Sequence, residues 1–236
     1  MKLDEALKLI LRNVNVLEIE EKPLAECIGQ VTAKDICSDF SLPMAATSGP
    51  DGYAVRSSDI AGASREKPVT LRIVGTVRAG VVPKLSVKPG TAIRIMTGSI
   101  VPKGANCVVR FEDTDEPGNK SGPNRNSPTE VKIYVMENTG ANMRPAGSNV
   151  SRGSLILPKG KTIGPAQICA LTSIGKVKVK VIRRPKIAVI ATGDELINPG
   201  NNLSVGKSYN SNTPAVSALI THYGGVPQAL GIARDT

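Results

Sequence analysis

The chain has 236 residues, a formal net charge of +10, only 3% aromatic residues and no tryptophan. That length holds more than one hydrophobic core, so two or three domains are expected. The charge favours anionic partners, but no basic run is interleaved with aromatics for base stacking, which argues against nucleic acid and towards small anionic ligands.

No apolar run reaches membrane-spanning length, no secretory leader opens the chain, and no membrane partner is expected. Cys27, Cys37, Cys107 and Cys169 are widely spaced without a CxxC pair, as small buried thiols of a reducing, cytoplasmic compartment would be. Taken in chain order, Leu3, Ala6, Leu7, Ile10, Leu11 and Val14 form an i, i+3, i+4 stripe that predicts a helix from Leu3 to Val14. Asp4 and Glu5 in its first turn suit the helix dipole. Glu20 to Ser38 reads as an irregular or strand connection. Ser41 to Pro50 breaks regular structure, and Asp51-Gly-Tyr-Ala-Val55 restarts it.

Strand candidates then run at Val69 to Arg78, Thr91 to Thr97, Asn106 to Phe111 and Thr129 to Met136, separated by Gly and Pro turns. Their spacing predicts a compact β domain, barrel-like or sandwich-like. Glu116 to Pro128, rich in Pro, Gly, Asn and Ser, reads as a mobile hairpin tip. Leu155 to Ile163 predicts a strand pair around a Pro158-Lys-Gly160 turn. Pro165 to Ser173 predicts a helix with Pro at its start and Gly175 past its end. Lys176 to Ile182 alternates Lys with Val, the pattern of a strand with one wet face.

After Arg183-Arg-Pro185 the pattern changes to strand, long loop, helix and strand. Ile187 to Ala191 is a continuous apolar run, the mark of a strand buried on both faces. It ends at Thr192-Gly193, and Asp194 and Glu195 follow at what should be the carboxyl edge of a parallel sheet, where open α/β sheets bind ligands. Tyr209-Asn-Ser-Asn212 closes the same loop, so polar groups converge from both ends. The next helix is expected at Pro214 to Tyr223, with Thr213 as N-cap, Pro214 at N1 and Gly224-Gly225 as its stop; a strand at Pro227 to Ile232 follows. The lone His222 on that helix reads as structural. Two strands and one helix cannot cover a sheet, so this last portion is expected to be the opening of a larger domain in a longer protein.

Four ordered stretches resemble one family. Leu42-Pro43 leading to Ser48-Gly-Pro-Asp-Gly-Tyr-Ala-Val55 resembles its LPP…S-x-x-DGYAV signature. Arg94-Ile-Met-Thr-Gly98, Val101-Pro-Lys-Gly-Ala105 and Phe111-Glu-Asp-Thr114 are similar to its RIMTG…VPxGAD…xEDT block. Asn142-Met-Arg-Pro-Ala-Gly147 resembles its R-P-x-G loop, and Ala191-Thr-Gly-Asp-Glu-Leu196 with Asn210-Ser-Asn212 resembles its TGDEL…YDSN pair. The family is the molybdopterin molybdenumtransferase (molybdenum insertase) family, MoeA of bacteria and the gephyrin E domain of animals.

The resemblance implies an α+β multidomain chain. An elongated mixed α/β first domain would comprise residues 1–42 plus 150–182, with a β-barrel-like second domain of residues 43–149 inserted in it. An incomplete MogA-like α/β third domain would span residues 185–236. It also implies an enzyme of molybdenum cofactor biosynthesis, which takes molybdate and adenylylated molybdopterin as substrates, uses Mg²⁺, and releases AMP as molybdenum is inserted. Asp51, Thr97 and Glu195 would be catalytic, with Asp51 and Glu195 as metal ligands. Asp194, Arg144, Ser211 and Asn212 would bind the pterin substrate. A homodimer is implied, with molybdopterin adenylyltransferase as the upstream partner.

On the residues alone, Asp51 also reads as an Asx turn before Gly52, Thr97 as a strand-end hydroxyl satisfying backbone, and Arg144 as a solvated loop arginine. Two departures from the family pattern stand out. Ser148-Asn149 replaces the usual [EH]-D, and Ser48-Gly-Pro-Asp51 replaces Ser-Ala-Met-Asp or Ser-Val-Lys-Asp. The family's GGVSxG segment would lie beyond Thr236, so the fragment alone is expected to be inactive. The loss of an acid at Asn149 supports an alternative, a non-catalytic scaffold or anion-binding relative with an eroded site.

Overall fold

The computed structural model describes residues 2–116 and 129–235. The hairpin tip expected over residues 116–128 falls, apart from Glu116, outside them. The chain divides into two compact units, residues 1–37 with 155–236, and residues 38–154. The first unit opens with helix α1 (Leu3–Arg12), β1 (Ile19–Pro23) and β2 (Ile36–Cys37). The second holds β3 (Thr47–Ser48), β4 (Gly52–Val55), β5 (Val69–Val77), β6 (Thr91–Ile95), β7 (Cys107–Arg110), β8 (Glu130–Ile133) and β9 (Met143–Arg144). The chain then returns to the first unit. There it forms β10 (Leu155–Leu157), α2 (Pro165–Ser173), β11 (Lys178–Ile182), β12 (Lys186–Thr192), β13 (Leu196–Ile197), β14 (Ser208–Tyr209), α3 (Asn212–His222) and β15 (Val226–Ala233).

The second unit is built on a curled, half-barrel sheet of five strands in the order β7-β4-β6-β5-β8. All its neighbours are antiparallel except β5 and β6, which run parallel. Every residue of the inner strand β4 is buried. Alternation sends Tyr53 and Val55 into one apolar cluster, with Leu71, Val109, Phe111 and Ile133. Ala54 goes into a second cluster with Ile93, Ile95 and Val108. Burying side chains of this size contributes about 1.5–3 kcal/mol each. Gly52 is required by close approach, because a Cβ there would collide with the carbonyl oxygen of Val109 on β7. The barrel-like expectation is therefore met in part, by a sheet that curls with β7 and β8 as its two edges. Two strands also end earlier than expected. β6 stops at Ile95, and β7 passes at Phe111–Asp113 into a 3₁₀ turn.

In the first unit, α1 forms on its predicted stripe, and the Glu5 carboxylate accepts the Lys2 N–H at 3.0 Å. The helix ends before Val14 because the Asn13 amide turns back to donate to the Leu9 carbonyl. β1 pairs antiparallel with β11, whose Lys178 and Lys180 are exposed while Val179 and Val181 are buried, as the alternation predicts. The strand pair expected over Leu155 to Ile163 is corrected. Its two flanks pair with residues 31–37 and not with each other: β10 joins β2, and Thr162 bridges to Val31. The Thr32 hydroxyl secures this by donating to the carbonyl of Pro158, and the Asp35 carboxylate accepts the Lys159 N–H.

β12 and β15 are parallel and joined through α3, a βαβ arrangement. Burial of β12 on both faces is corrected as well: Ile187 is 39% and Ile190 58% exposed. Among the described residues, α3 is the helix that packs on this two-stranded sheet. One helix leaves one face open. The helix itself starts at Asn212, two residues before the expected Pro214, with Ser211 at the N-cap position instead of Thr213.

Candidate active site

Asp51 directly precedes β4, and Thr97 lies two residues past β6. The antiparallel register, with Gly52 opposite Ile95 and Tyr53 opposite Arg94, brings these two strand ends together. The Thr97 N–H donates to Asp51 Oδ1 at 2.6 Å and the Thr97 hydroxyl donates to the same oxygen at 2.7 Å. These donors, the backbone one first, hold the Asp51 carboxyl below the usual carboxylate range, and the Arg94 guanidinium adds a smaller pull in the same direction. Asp51 is therefore ionised at neutral pH, and both residues are exposed to solvent. Neither of the simpler readings describes the contact seen: the carboxylate of Asp51 reaches across to another strand end, and the Thr97 hydroxyl donates to a side chain.

The Ser48–Asp51 turn is fastened on three sides. Ser48 donates its N–H to Ser99 O at 2.9 Å and accepts from the Gly98 N–H at 2.9 Å. Gly49 N–H donates to the Asn142 carbonyl at 2.9 Å, and the Phe111 N–H to the Asp51 carbonyl at 3.3 Å. Asn142 has a left-handed backbone, φ 58°, and its side-chain amide donates to Val108 O and to Glu137. Two residues on, Arg144 is exposed on β9, opposite Thr47 of β3. The structure thus places Asp51 and Thr97 in direct contact and Arg144 on the strand paired with the one leading into their turn. The Asn149 N–H donates to the Leu42 carbonyl.

The remaining candidates belong to the other unit. β12 ends at Thr192, and Gly193 takes φ 140°, a conformation that favours glycine. A Cβ there would lie 2.5 and 2.7 Å from the Glu195 carboxylate oxygens, so this carboxylate folds back over the glycine. Leu196 N–H closes the turn on Gly193 O. Lys207 Nζ donates to the Asp194 carbonyl at 2.6 Å, and Ser208 N–H to the Glu195 carbonyl at 2.9 Å. These bonds tie the acidic turn to the strand that leads into α3.

Asn210, only 5% exposed, then sets the start of α3: its Oδ1 accepts the Thr213 N–H and its Nδ2 donates to the Thr213 hydroxyl. An open cleft of about 290 Å³ lies where the end of β12 meets the start of this helix. Thr192, Tyr209, Asn210, Ser211, Asn212 and Thr213 are among its lining residues. Ser211 and Asn212 therefore line a cleft, whereas Asp194 and Glu195 are not among its lining residues. Among the described residues, no group of three or more His, Cys, Asp or Glu side chains is placed to hold a metal ion.

Sequence reasoning passed over Lys207 and the Arg94–Glu116 pair. For Arg94 a signal existed, a lone charge within the apolar run Ala92-Ile93-Arg94-Ile95. For Lys207 the local sequence carries no such mark.

A mixed α+β chain with a curled five-stranded sheet and an acidic turn after a parallel strand defines a class, and comparison with known proteins places it. Residues 1–175 match the family model described as the MoeA N-terminal region (domain I and II). The chain belongs to the MoeA family. The molybdopterin molybdenumtransferase of Bacillus subtilis (strain 168) is 34% identical over 232 residues, 98% of this chain and 53% of that protein. A Staphylococcus epidermidis protein of the same name is 36% identical over 221 residues, 93% of this chain and 50% of its own length. The chain thus spans about half the length of the curated relatives it matches. The structure of a molybdopterin biosynthesis MoeA protein from Pyrococcus horikoshii OT3 matches with a TM-score of 0.86 at 32% identity, covering 99% of this chain and 60% of that one. A second structure, described as a molybdopterin biosynthesis MoeA protein, gives 0.84 at 35% identity, covering 100% of this chain and 57% of that one.

Proposed function

We propose that this chain forms part of a molybdopterin molybdenumtransferase, which inserts molybdenum from molybdate into adenylylated molybdopterin with release of AMP. The observation that carries this reading is the Asp51 carboxylate, fixed and kept ionised by two donors from Thr97. Both of those bonds fall on Oδ1. A second carboxylate, Glu195, is held over Gly193 in the other unit. Asp51 and Glu195 are the proposed Mg²⁺ ligands. Their hard oxygens suit that ion, which commonly takes one or two carboxylates and completes its shell with water and substrate phosphate oxygens. When bound, it neutralises the phosphate charge that builds as the anhydride breaks.

The chain's own groups perform the rest. Thr97 keeps the Asp51 carboxylate in one orientation. Ser211 and Asn212, at the N-terminus of α3, present backbone N–H groups that favour an anionic group in the cleft. Arg144 offers a guanidinium suited to a pterin phosphate or another oxyanion. The proposed domain arrangement is a first domain of residues 1–42 plus 150–182, an inserted second domain of residues 43–149 and the start of a MogA-like third domain at residues 185–236. The proposed assembly is a cytoplasmic homodimer supplied by molybdopterin adenylyltransferase. The match of residues 1–175 to the MoeA domain I and II model supports the first two of these domains, and among the described residues no helix is long and apolar enough to cross a membrane. Light scattering on the full-length protein at micromolar concentration checks the dimer, and a monomer mass would refute it.

In the full-length protein, Asp51→Asn should slow AMP release from adenylylated molybdopterin by on the order of 100-fold, the scale of losing one oriented charged group at a reacting phosphate. Glu195→Gln should do the same. Unchanged AMP release in either folded variant refutes its assigned role. One observation favours a second reading, a non-catalytic relative. Asn149 stands where the family carries an acid. Absence of any molybdate-dependent AMP release from the wild-type full-length protein would select it.

A further inference from the structure

We infer that Arg94 is the positioning residue for the Asp51–Thr97 contact, acting through Glu116, Tyr53 and Phe111. The inference rests on the reading of Asp51 as a functional carboxylate. Arg94 lies in β6 between Ile93 and Ile95, both fully buried, and its own side chain is only 15% exposed. A guanidinium there needs partners, and it finds them in Phe111 and Glu116, in the segment that follows β7. Nη2 and Nε donate to Glu116 Oε1 at 2.8 and 3.2 Å, and the Tyr53 hydroxyl donates to the same carboxylate. The guanidinium also lies over the Phe111 ring, 4.5 Å from its centroid. Phe111 in turn meets Tyr53 edge to face at 5.5 Å and gives its N–H to the Asp51 carbonyl.

Three strand ends meet at this cluster: Asp51 just before β4, Thr97 just after β6 and Phe111 just after β7. Arg94 contacts or pairs with a residue of each. Its side chain shares a face with Tyr53, opposite it in the ladder, so the cluster braces the register at the end where Asp51 meets Thr97. A buried ion pair of this kind adds little net stability, because desolvating both charges offsets their attraction. Its contribution here is geometric. A 2.6 Å bond from Thr97 to Asp51 does not survive a slip of one strand end by an ångström. The planar fork of arginine, held by ion pair and stacking together, resists that slip in a way lysine does not.

The test is proton NMR of the full chain, read at the Thr97 amide. Its N–H, donating to a carboxylate, should resonate well downfield, and Asp51→Asn should move it upfield and so assign it. In the double variant Arg94→Met with Glu116→Leu, an apolar replacement that should leave the fold standing, the Thr97 amide is expected to lose that downfield displacement. It should also exchange with solvent on the order of tenfold faster. Arg94→Lys should show part of the same loss. A Thr97 amide unchanged in shift and exchange in the folded double variant overturns the inference, leaving Arg94 a purely structural residue. If the double variant does not fold, Arg94→Lys alone decides, with an unchanged amide again overturning it. AMP release by Asp51→Asn tests the functional reading separately. Retained release together with a lost Thr97 signal would sink that reading and keep Arg94 as the brace.

Discussion

Thr97 gives both its backbone N–H and its hydroxyl to the same oxygen of Asp51, across a sequence separation of 46 residues. Because the folded carboxyl is held below its ordinary range, its contribution to stability is present above the unfolded value and is lost as pH falls through the lowered folded one. Thr97→Val keeps the larger, backbone donor and removes the hydroxyl. The Asp51 carboxyl in that variant should titrate at higher pH than in the wild type, by carboxyl-carbon NMR, and the acid-side loss of stability should begin at higher pH. An unmoved titration would mean the hydroxyl does not hold the carboxylate in solution.

Gly193 sits under the Glu195 carboxylate with φ 140°. Gly193→Ala should cost about 1–3 kcal/mol for the strained backbone, seen as a lower urea midpoint, and should swing the Glu195 carboxylate away. A crystal structure of the variant with Glu195 still over residue 193 would contradict this account of the turn.

Asn210 caps α3 through the Thr213 N–H from a nearly buried position. Asn210→Ala should cost about 1 kcal/mol, within the range for lost N-terminal caps, and should raise amide exchange in the first turn of the helix. Unchanged exchange at residues 212–215 would show that another group closes the helix.

Asn149 has a carboxamide where the family pattern this loop resembles would place an acid, and an amide offers a metal only its neutral carbonyl oxygen. In the full-length protein, Asn149→Asp should lower the Mg²⁺ concentration needed for half-maximal AMP release. The Asn149 backbone bond to Leu42 involves no side-chain atom, so the fold should tolerate the change. An unaltered Mg²⁺ dependence would mean that this loop does not touch the ion.

Local chemistry alone determined those elements whose signal is periodic. The stripe of α1, the Pro and Gly bounding α2, and the Lys and Val alternation of β11 all formed close to where the residues dictate, because each pattern is local to its own element. The acidic turn after β12 was also legible, since an apolar run stopping at Gly and then at two acids is a local event. Partner choice was not. Nothing within Leu155 to Ile163 says that its flanks pair with residues 31–37 and not with each other, since strand pairing is settled by which distant ladder buries more surface. At α3 the local rule offered Thr213-Pro214 as cap and first residue; tertiary structure moved the start to Asn212, because Asn210, its backbone N–H bound to Ile197, accepts the Thr213 N–H from a nearly buried position. The Asp51–Thr97 contact belongs wholly to tertiary structure. Sequence marked both residues, but only the antiparallel register of β4 against β6, braced at Arg94, brings a carboxylate and two donors within 2.7 Å.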